Sequence, residues 1–405
     1  TPIGYTQNNS ITSSFNNTIP TIDLANPYPS GILQPVGNSR GLMAGVGSNV
    51  SFLDQNHGAP IVHQYSFDIQ REVGWGTTIL AGYVGSIGRN LVSGAAALNI
   101  NQLPSQYLSL GSDLNTVVPN PAAVPGGTGL LGATTTRSRA LRPFPQFDQV
   151  LLSNSDAIRS RYDSFVVKAQ KRATNGLSLV ATWTWSKMFD NAFGGPGSNL
   201  GTNGGYQNYY DLDGEYSLSV LHTPHRLSTG FTYDLPFGRG KPFLSNGRLM
   251  DLAFGGWSVN TIGIMQTGFP LAIRQQANNN SLIGLSNQRP NATGVDPNPG
   301  GSFAKRLDGW INPAAFSSAP AFTFGNVSRH IDMRGPGQVN WDISLFKTFA
   351  VFESFRAQFR AEALNAMNTP LFRVPETRTG NANFGKVTSQ ANFPRMLQLG
   401  VRFYF

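Results

Sequence analysis

Residues 395–405 alternate with a period of two. Apolar side chains occupy every second position from Leu397 to Phe405, and Gln398, Gly400 and Arg402 stand among the intervening positions. Because successive side chains of a β-strand point to opposite faces, this segment has one apolar face and one mostly polar face. Its length suits a tilted membrane-crossing strand of roughly 9–11 residues. Taken alone, the segment is equally compatible with the last strand of a soluble β-sandwich.

The composition favours strands joined by irregular loops. Charged residues make up 13% of the chain, against about 25% in an ordinary soluble domain. Aromatic residues make up 11%, and the 405 residues include 45 glycines. No apolar run reaches the roughly 18 residues of a membrane-spanning helix. If the chain crosses a membrane, it must therefore do so as a closed β-barrel, because lipid offers no partner to an open sheet edge.

Charge and cysteine content exclude several classes of function. The chain has no cysteine, so neither disulfides nor thiolate metal or redox sites are possible. A net charge of +9 would be compatible with nucleic acid, but the basic residues are scattered singly and no nucleic-acid-binding motif is present. We therefore expect no nucleic-acid partner.

Alternating stretches like the last one recur along residues 61–405. Residues 1–60 are predicted to be a loop-rich segment with a short strand near residues 41–52, and residues 61–405 to be the C-terminal part of a barrel. The predicted strands are 61–73, 76–86, 162–173, 177–188, 224–235, 256–267, 339–349, 355–366 and 395–405. Short and long connections alternate along the chain, except for the medium connector 236–255. This alternation is typical of an outer-membrane barrel with short periplasmic turns and long extracellular loops, whereas a sandwich has no reason for it.

The strand pattern also assigns side chains to faces. Aromatic residues such as Trp183, Trp257 and Trp341 lie on the apolar faces or near strand ends, as interfacial girdles do. Charged residues at the alternate positions would point into the barrel if the apolar face meets lipid. These possible lumen-facing residues are Lys168, Arg226, Asp234, Asp342, Arg356, Arg360, Glu362 and Arg402. They could contact a plug or a permeating solute, or merely form ladders of paired charges that solvate the interior.

The chain offers little support for catalysis or for a bound cofactor. The glycines of residues 127–132 have the spacing of a dinucleotide-binding fingerprint, but the sequence predicts neither a strand before them nor a helix after them. Asp211, Asp213 and Glu215 have a spacing that could hold Ca²⁺, although a solvated acidic turn is favoured. His222 and His225 lack further ligands. We expect no catalytic residue, no metal and no cofactor, and the chain is not expected to be an enzyme.

Several stretches together resemble the C-terminal half of TonB-dependent outer-membrane transporters, and in particular the Oar-like group of Acidobacteria that often carries a carboxypeptidase-regulatory-like domain. They include YVGSIGRNL at 83–91, YDSFVVKAQKR at 162–172, HRLSTGFTYDLPFGRG at 225–240, WDISLFK at 341–347 and FRAEALNAMN at 359–368. The terminal strand is similar to the signal that the barrel-assembly machinery recognises, which in this chain is carried by Gln398, Gly400, Phe403 and Phe405.

The resemblance implies an all-β fold, an antiparallel transmembrane β-barrel of roughly 22 strands with a plugged lumen. Because the sequence shows only about nine to eleven strands, we expect the C-terminal portion of such a barrel, a fragment whose plug and remaining strands belong to the same protein. The implied partners are outer-membrane lipid, the barrel-assembly machinery and the TonB complex. The implied function is uptake of a large scarce solute: an oligosaccharide, a peptide or a metal chelate. The alternative is an adhesion or secretion-related barrel scaffold whose long loops bind proteins. A soluble β-sandwich remains the third possibility.

Overall fold

A computed structural model describes residues 9, 14–15, 19–20, 23, 25–29, 31–92, 97–193, 205–285, 287–350, 352 and 355–405. Within them, no helix is both long and apolar enough to span a membrane. Strands dominate the fold, and the prediction of an all-β chain is confirmed.

Nine long antiparallel strands form one sheet, and each pairs with its neighbour in the sequence. They are β1 Ile61–Gly74, β2 Thr77–Leu91, β3 Ile158–Thr174, β4 Leu177–Asp190, β5 His225–Asp234, β6 Trp257–Gln266, β7 Gln338–Ala350, β8 Arg356–Leu364 and β9 Met396–Tyr404. A short strand, Ser217–Leu218, adds to β4. Among the described residues, β1 pairs only with β2 and β9 only with β8, so the sheet has two edges.

The nine strands coincide with the nine stretches predicted from alternation, but their ends differ. β2 continues to Leu91 and β3 begins at Ile158, where the prediction placed a loop. In this region Gly88 pairs with Ser160. The extension includes Ile87, Leu91 and Ile158, but glycine, arginine, asparagine and serine interrupt the alternation there, so the pattern of side chains did not reveal the extra length.

Tight turns join the hairpins at one end of the sheet. Between β3 and β4, Asn175 and Gly176 both have positive φ, at 53° and 81°. This is the backbone of a two-residue hairpin turn whose twist matches that of the flanking strands, and Asn-Gly is its preferred sequence. The medium connector between β5 and β6 lies at the same end and contains the helix α1 Arg248–Phe254, which accounts for its length.

The remaining elements are short. The other helices are Arg137–Ala140 and Phe303–Arg306, and the 3-10 turns are Gly41–Met43, Ser105–Asn115, Gly129–Leu131, Ser281–Ile283 and Pro313–Ala315. The other strands are Ser14–Phe15, Ile19–Pro20, Val50–Leu53, Leu98–Asn99, Val117–Pro119, Thr134–Thr136, Val150–Ser153, Pro270–Leu271, Arg274–Gln275, Asn291–Ala292, Phe316–Ser317, Ile331–Arg334 and Arg378–Thr379. Val50–Leu53 lies at the end of the stretch in which a short strand was predicted.

Contacts divide the chain into two compact units. One unit comprises residues 1–53, 97–153 and 282–284, and has a three-stranded sheet of Val50–Leu53, Val150–Ser153 and Leu98–Asn99. The other comprises residues 54–96, 154–281 and 285–405 and contains the nine long strands.

The long loops of the second unit have an apolar core of their own. Its buried members are Leu271, Ile273, Trp310, Ile311, Val327 and Met333. Trp310 is 3% exposed, and its Nε1 donates a hydrogen bond of 2.6 Å to the carbonyl of Arg334. Residues 267–281, 285 and 287–337 of this unit therefore pack as a compact layer, which we call the loop layer, instead of a set of independent loops.

Candidate functional site

All eight charged residues that the sequence assigned to the polar positions lie on one face of the nine-stranded sheet. The register establishes this, because residues paired across neighbouring strands share a face. Arg402 pairs with Gln358 and Gly400 with Arg360. Ser344, two positions from Asp342, pairs with Glu362. The registers of the other strand pairs place the remaining members on the same face; these are Lys168, Arg226, Asp234 and Arg356.

At the C-terminal edge of this polar face, arginine is held by neutral groups. Arg360 Nε donates to Gln358 Oε1 at 2.8 Å, and its Nη2 donates to the hydroxyl of Tyr404 at 3.3 Å. The hydroxyl in turn donates to Gln358 Oε1 at 3.2 Å. The guanidinium also lies 4.8 Å from the centre of the Phe346 ring. None of these contacts neutralises the positive charge of Arg360, so it remains available to an anionic group.

Asp342 has a structural contact instead. Its Oδ1 accepts hydrogen bonds from Asn340 Nδ2 at 3.1 Å and from the backbone N–H of Asn365 at 2.8 Å. Asn365 follows β8 with a positive φ of 48°. Asp342 thus fixes the chain where it leaves β8, and this contact argues against a free carboxylate at this position.

The opposite face is apolar and has aromatic residues near both ends. Trp257 pairs with Lys347, and Trp341 lies six residues before Lys347 on β7. At about 3.3 Å per residue, the two aromatic levels are roughly 20 Å apart along the strand. An outer-membrane barrel has an apolar band about 25 Å tall between two aromatic girdles. The spacing is therefore of the size that a membrane-crossing wall requires.

Lys347 is a cation on this apolar face that the strand pattern did not single out. It is 3% exposed, and its ammonium lies 5.4 Å from the Trp257 ring and 5.1 Å from the Phe349 ring. Its Nζ donates to the carbonyl of Gly255 in the connector before β6. The aromatic rings and this carbonyl shield the charge, as long cationic side chains near a membrane boundary require.

The four residues that the sequence predicts as an assembly signal divide between the two faces of the C-terminal segment. Gln398 and Gly400 lie on the polar face, opposite Glu362 and Arg360. The ring of Phe355 lies 5.7 Å from the ring of Phe403 and 5.7 Å from that of Phe405. Phe405 is 98% exposed. An exposed aromatic end on an edge strand is available to a binding partner.

Buried ion pairs hold the loop layer and its neighbouring loops together. Arg289 contacts Glu215 through two hydrogen bonds, of 2.5 Å and 3.3 Å. Arg329 is 1% exposed and contacts Asp190 Oδ1 and the carbonyls of Asp190, Ala192 and Glu215. Burial lowers the pKa of the Arg329 guanidinium from its ordinary value, and the Asp190 carboxylate opposes that shift. Sequence reasoning missed these arginines, because their partners lie far away along the chain.

The acidic turn considered as a Ca²⁺ site does not bring its carboxylates together. Asp211 Oδ1 accepts from the backbone N–H of Gly214 at 2.9 Å, Asp213 pairs with Arg159 at 2.9 Å, and Glu215 binds Arg289. The two histidines also separate, since His222 is buried and His225 stacks on Trp183 with ring centres 5.9 Å apart. In the part of the chain that the structure describes, no group of three or more acidic or histidine side chains is placed to hold a metal.

Several solved structures are similar to this chain. They include the outer-membrane transporter YddB of Escherichia coli, at 10% identity and a TM-score of 0.43, with 89% of this chain and 34% of that chain covered. Another is the FrpB iron transporter of Neisseria meningitidis, at 10% identity and a TM-score of 0.37, with 88% of this chain and 33% of that chain covered. A third is the pyoverdine receptor FpvA of Pseudomonas aeruginosa, at 8% identity and a TM-score of 0.37, with 85% of this chain and 30% of that chain covered. This chain spans about a third of their length. A search of curated proteins found no match.

A family model described as an outer membrane beta barrel domain matches residues 1–398. The match agrees with the antiparallel meander of long strands, its apolar face and the alternation of tight turns with long loops. The chain therefore belongs to the outer membrane beta barrel domain family and is a protein of the outer membrane.

Proposed function

We propose that this chain is the C-terminal barrel portion of a TonB-dependent transporter that takes up a large, scarce solute. The observation that carries the proposal is the sorting of charge on the nine-stranded sheet. Eight charged side chains share one face, while the other face is apolar along the middle of the strands and has aromatic residues near both ends. The charged residues of that other face, among them Lys171, Lys187 and Lys347, lie toward the strand ends. A barrel wall with lipid on one side and a polar passage on the other needs this arrangement.

In this proposal the apolar face meets lipid, and Lys168, Arg226, Asp234, Arg356 and Arg402 face the interior with Arg360 and Glu362. Asp342 also faces inward but stabilises the end of β8. Arg360, Arg356 and Arg402 lie close together on β8 and β9. Since Arg360 is bound by neutral groups, this cluster is suited to carboxylates of a plug or to an anionic part of the solute.

The loop layer supplies the outer contact surface. Its own apolar core and its buried pairs, Arg289–Glu215 and Arg329–Asp190, hold the loops in a defined shape. Ligand-binding loops are commonly held in position by a rigid scaffold. A defined surface favours selective capture of a solute that is scarce outside the cell.

The two open edges of the sheet indicate which partners the chain requires. An open sheet edge is not tolerated within lipid. We therefore infer that β1 and β9 pair with further strands of the same protein, and that an N-terminal plug closes the lumen. TonB, which by resemblance would supply energy through that plug, is the proposed inner-membrane partner. Phe405 and Phe403, with Gln398 and Gly400, form the proposed signal for the barrel-assembly machinery.

Uptake by cells that carry or lack the parent protein tests the proposal. Each strain is made with and without a functional TonB complex, and is supplied with a labelled oligosaccharide, a labelled peptide or a labelled ferric chelate. We expect one solute class to accumulate only when both the protein and TonB are present. The variant Arg360→Gln should reduce uptake, whereas Arg71→Gln on the apolar face of β1 should not.

The opposite result is equally informative. If no solute class depends on the protein, and if the parent gene encodes neither a plug nor a TonB-binding segment, transport is excluded. Cells carrying the protein would then be compared with cells lacking it for adherence to protein-coated surfaces, which tests the adhesion scaffold.

A further inference from the structure

A cleft of about 540 Å³ lies at the long-loop end of the apolar face. Strands β2, β3 and β4 contribute side chains of that face, namely Tyr83, Asp163, Phe165, Trp185 and Lys187. Ser164 and Ser186 of β3 and β4 also line it, together with His222, Pro224, Asp332 and Arg334 from outside the nine long strands. Trp185 is 55% exposed and Phe165 is 39% exposed. The cleft therefore combines an apolar floor with a charged rim.

Within the described part of the chain, the charges of the rim leave one cation without an acidic partner. Asp163 accepts hydrogen bonds from the Tyr83 hydroxyl at 2.5 Å and from Arg161 Nε at 2.8 Å. Arg334 pairs with Asp332 at 2.6 Å. Lys187 is exposed and belongs to neither pair, and its ammonium lies 5.2 Å from the centre of the Phe189 ring. The lining carries two cations, Lys187 and Arg334, and two carboxylates, Asp163 and Asp332. Arg161, which binds Asp163, adds a third positive charge next to the lining.

A buried polar atom at the same cleft also lacks a partner. His222 is 3% exposed, and among the described residues nothing makes a hydrogen bond to its Nδ1. Leaving a buried polar group unsatisfied costs about 1–3 kcal/mol. A polar ligand group held between His222 and Lys187 would remove this cost.

The position of the cleft indicates the chemistry of its ligand. Along β4 the apolar face runs from Trp183 through Trp185 to Lys187, that is, from the outer aromatic girdle to a cation beyond it. An acyl chain fits beside the exposed aromatic rings within the membrane. Anionic headgroups attract lysine and arginine at the membrane surface. The order of apolar and positive groups along the strand therefore matches the order of chain and headgroup in an anionic lipid.

We propose that this cleft binds a phosphate-bearing acyl lipid of the outer leaflet. The acyl chain lies along Phe165 and Trp185, and the phosphate contacts Lys187, Arg334 and His222. The proposal rests on the orientation of the sheet proposed above, with its apolar face toward lipid, and does not depend on solute uptake. The Lys187→Gln variant should keep TonB-dependent uptake, so the two proposals can fail separately.

Tryptophan quenching by brominated lipid tests the site. The purified protein in dodecyl maltoside micelles is titrated with phosphatidylglycerol or phosphatidylcholine carrying the same brominated chains. We expect phosphatidylglycerol to quench at a lower concentration, and Lys187→Gln to weaken its binding about fivefold, since one lysine near a membrane surface contributes about 1 kcal/mol. Trp185→Phe should reduce the quenched amplitude.

A matched lysine provides the control. Lys171 lies on the same face at the tight-turn end, where its Nζ donates to the carbonyl of Trp75 at 2.6 Å. Lys171→Gln should retain the wild-type preference for phosphatidylglycerol. Equal quenching by the two lipids in wild-type protein would show an apolar belt without a headgroup site and overturn the proposal. Complete relief of quenching by excess inorganic phosphate would also overturn it, because the site would then recognise the free anion and not the lipid.

Discussion

Arg289 and Glu215 form a doubly hydrogen-bonded ion pair whose side chains are 7% and 1% exposed. Glu215 Oε1 also accepts from the backbone N–H of Gln207 at 2.9 Å, and the side-chain oxygen of Gln207 accepts from the backbone N–H of Arg289 at 3.2 Å. The pair thus connects two loops that are 74 residues apart in the sequence. Removing one partner would leave a buried charge without compensation.

Glu215→Ala should therefore destabilise the loops by about 3–5 kcal/mol. The expected signs are faster proteolysis between residues 205 and 216 and a lower unfolding temperature. Asp213→Asn is the matched control. Asp213 pairs with Arg159, and their side chains are 83% and 48% exposed, respectively. An exposed ion pair contributes only about 0–1 kcal/mol to stability. Equal effects of the two substitutions would contradict the structural role assigned to Glu215.

Substitutions on adjacent residues of β7 should have unequal effects in a membrane. Ile343 lies on the apolar face and Ser344 on the polar face, between the levels of Trp341 and Trp257. Arginine at a lipid-facing position near the membrane centre costs about 2–4 kcal/mol. Ile343→Arg should lower the urea midpoint of the protein in lipid vesicles, and Ser344→Arg should leave it nearly unchanged. A larger loss for Ser344→Arg would reverse the proposed orientation.

The stability of the loops should fall in mild acid because of His222. Burial, and after it the nearby charge of Arg334, lowers the pKa of His222 to about 4 from an ordinary value near 6.5. Below about pH 6.5 the unfolded chain binds a proton that the folded chain does not. Stability is therefore fully present above that pH and is lost as the pH falls toward about 4. His222→Gln should flatten the pH dependence of the unfolding midpoint over this interval, and an unchanged dependence would exclude His222 as its source.

Loss of the terminal aromatic should impair assembly more than stability. Phe405 is almost fully exposed and contacts Phe355, so its removal leaves no cavity in a core. Phe405→Ala in the parent protein should lower the amount of folded protein in the outer membrane several-fold, as measured by its heat-modifiable mobility on gels. Phe393→Ala, an equally aromatic change at a residue 74% exposed in the last loop, should have little effect. Similar losses in both variants would contradict a role in assembly.

The wall of the barrel was largely predictable, because alternation is a local property of the sequence. The side-chain period of two places Gln358, Arg360 and Glu362 on one face whatever strand lies beside them. The loop layer was not predictable in this way. Arg329 and Asp190 are 139 residues apart in the sequence. Lys347 donates its hydrogen bond to the carbonyl of Gly255, which is 92 residues away. No single stretch of sequence contains such contacts.

Site-directed spin labelling along β7 tests the orientation of the wall most directly. The chain has no cysteine, so single cysteines can be introduced at each position from 339 to 349 without background. In lipid vesicles, labels at positions 341, 343 and 345 should be relaxed mainly by oxygen dissolved in the membrane. Labels at positions 340, 342 and 344 should be relaxed mainly by a water-soluble nickel complex. Accessibility that does not alternate, or that alternates in the opposite phase, would contradict a wall with lipid on its apolar face and a polar passage behind it.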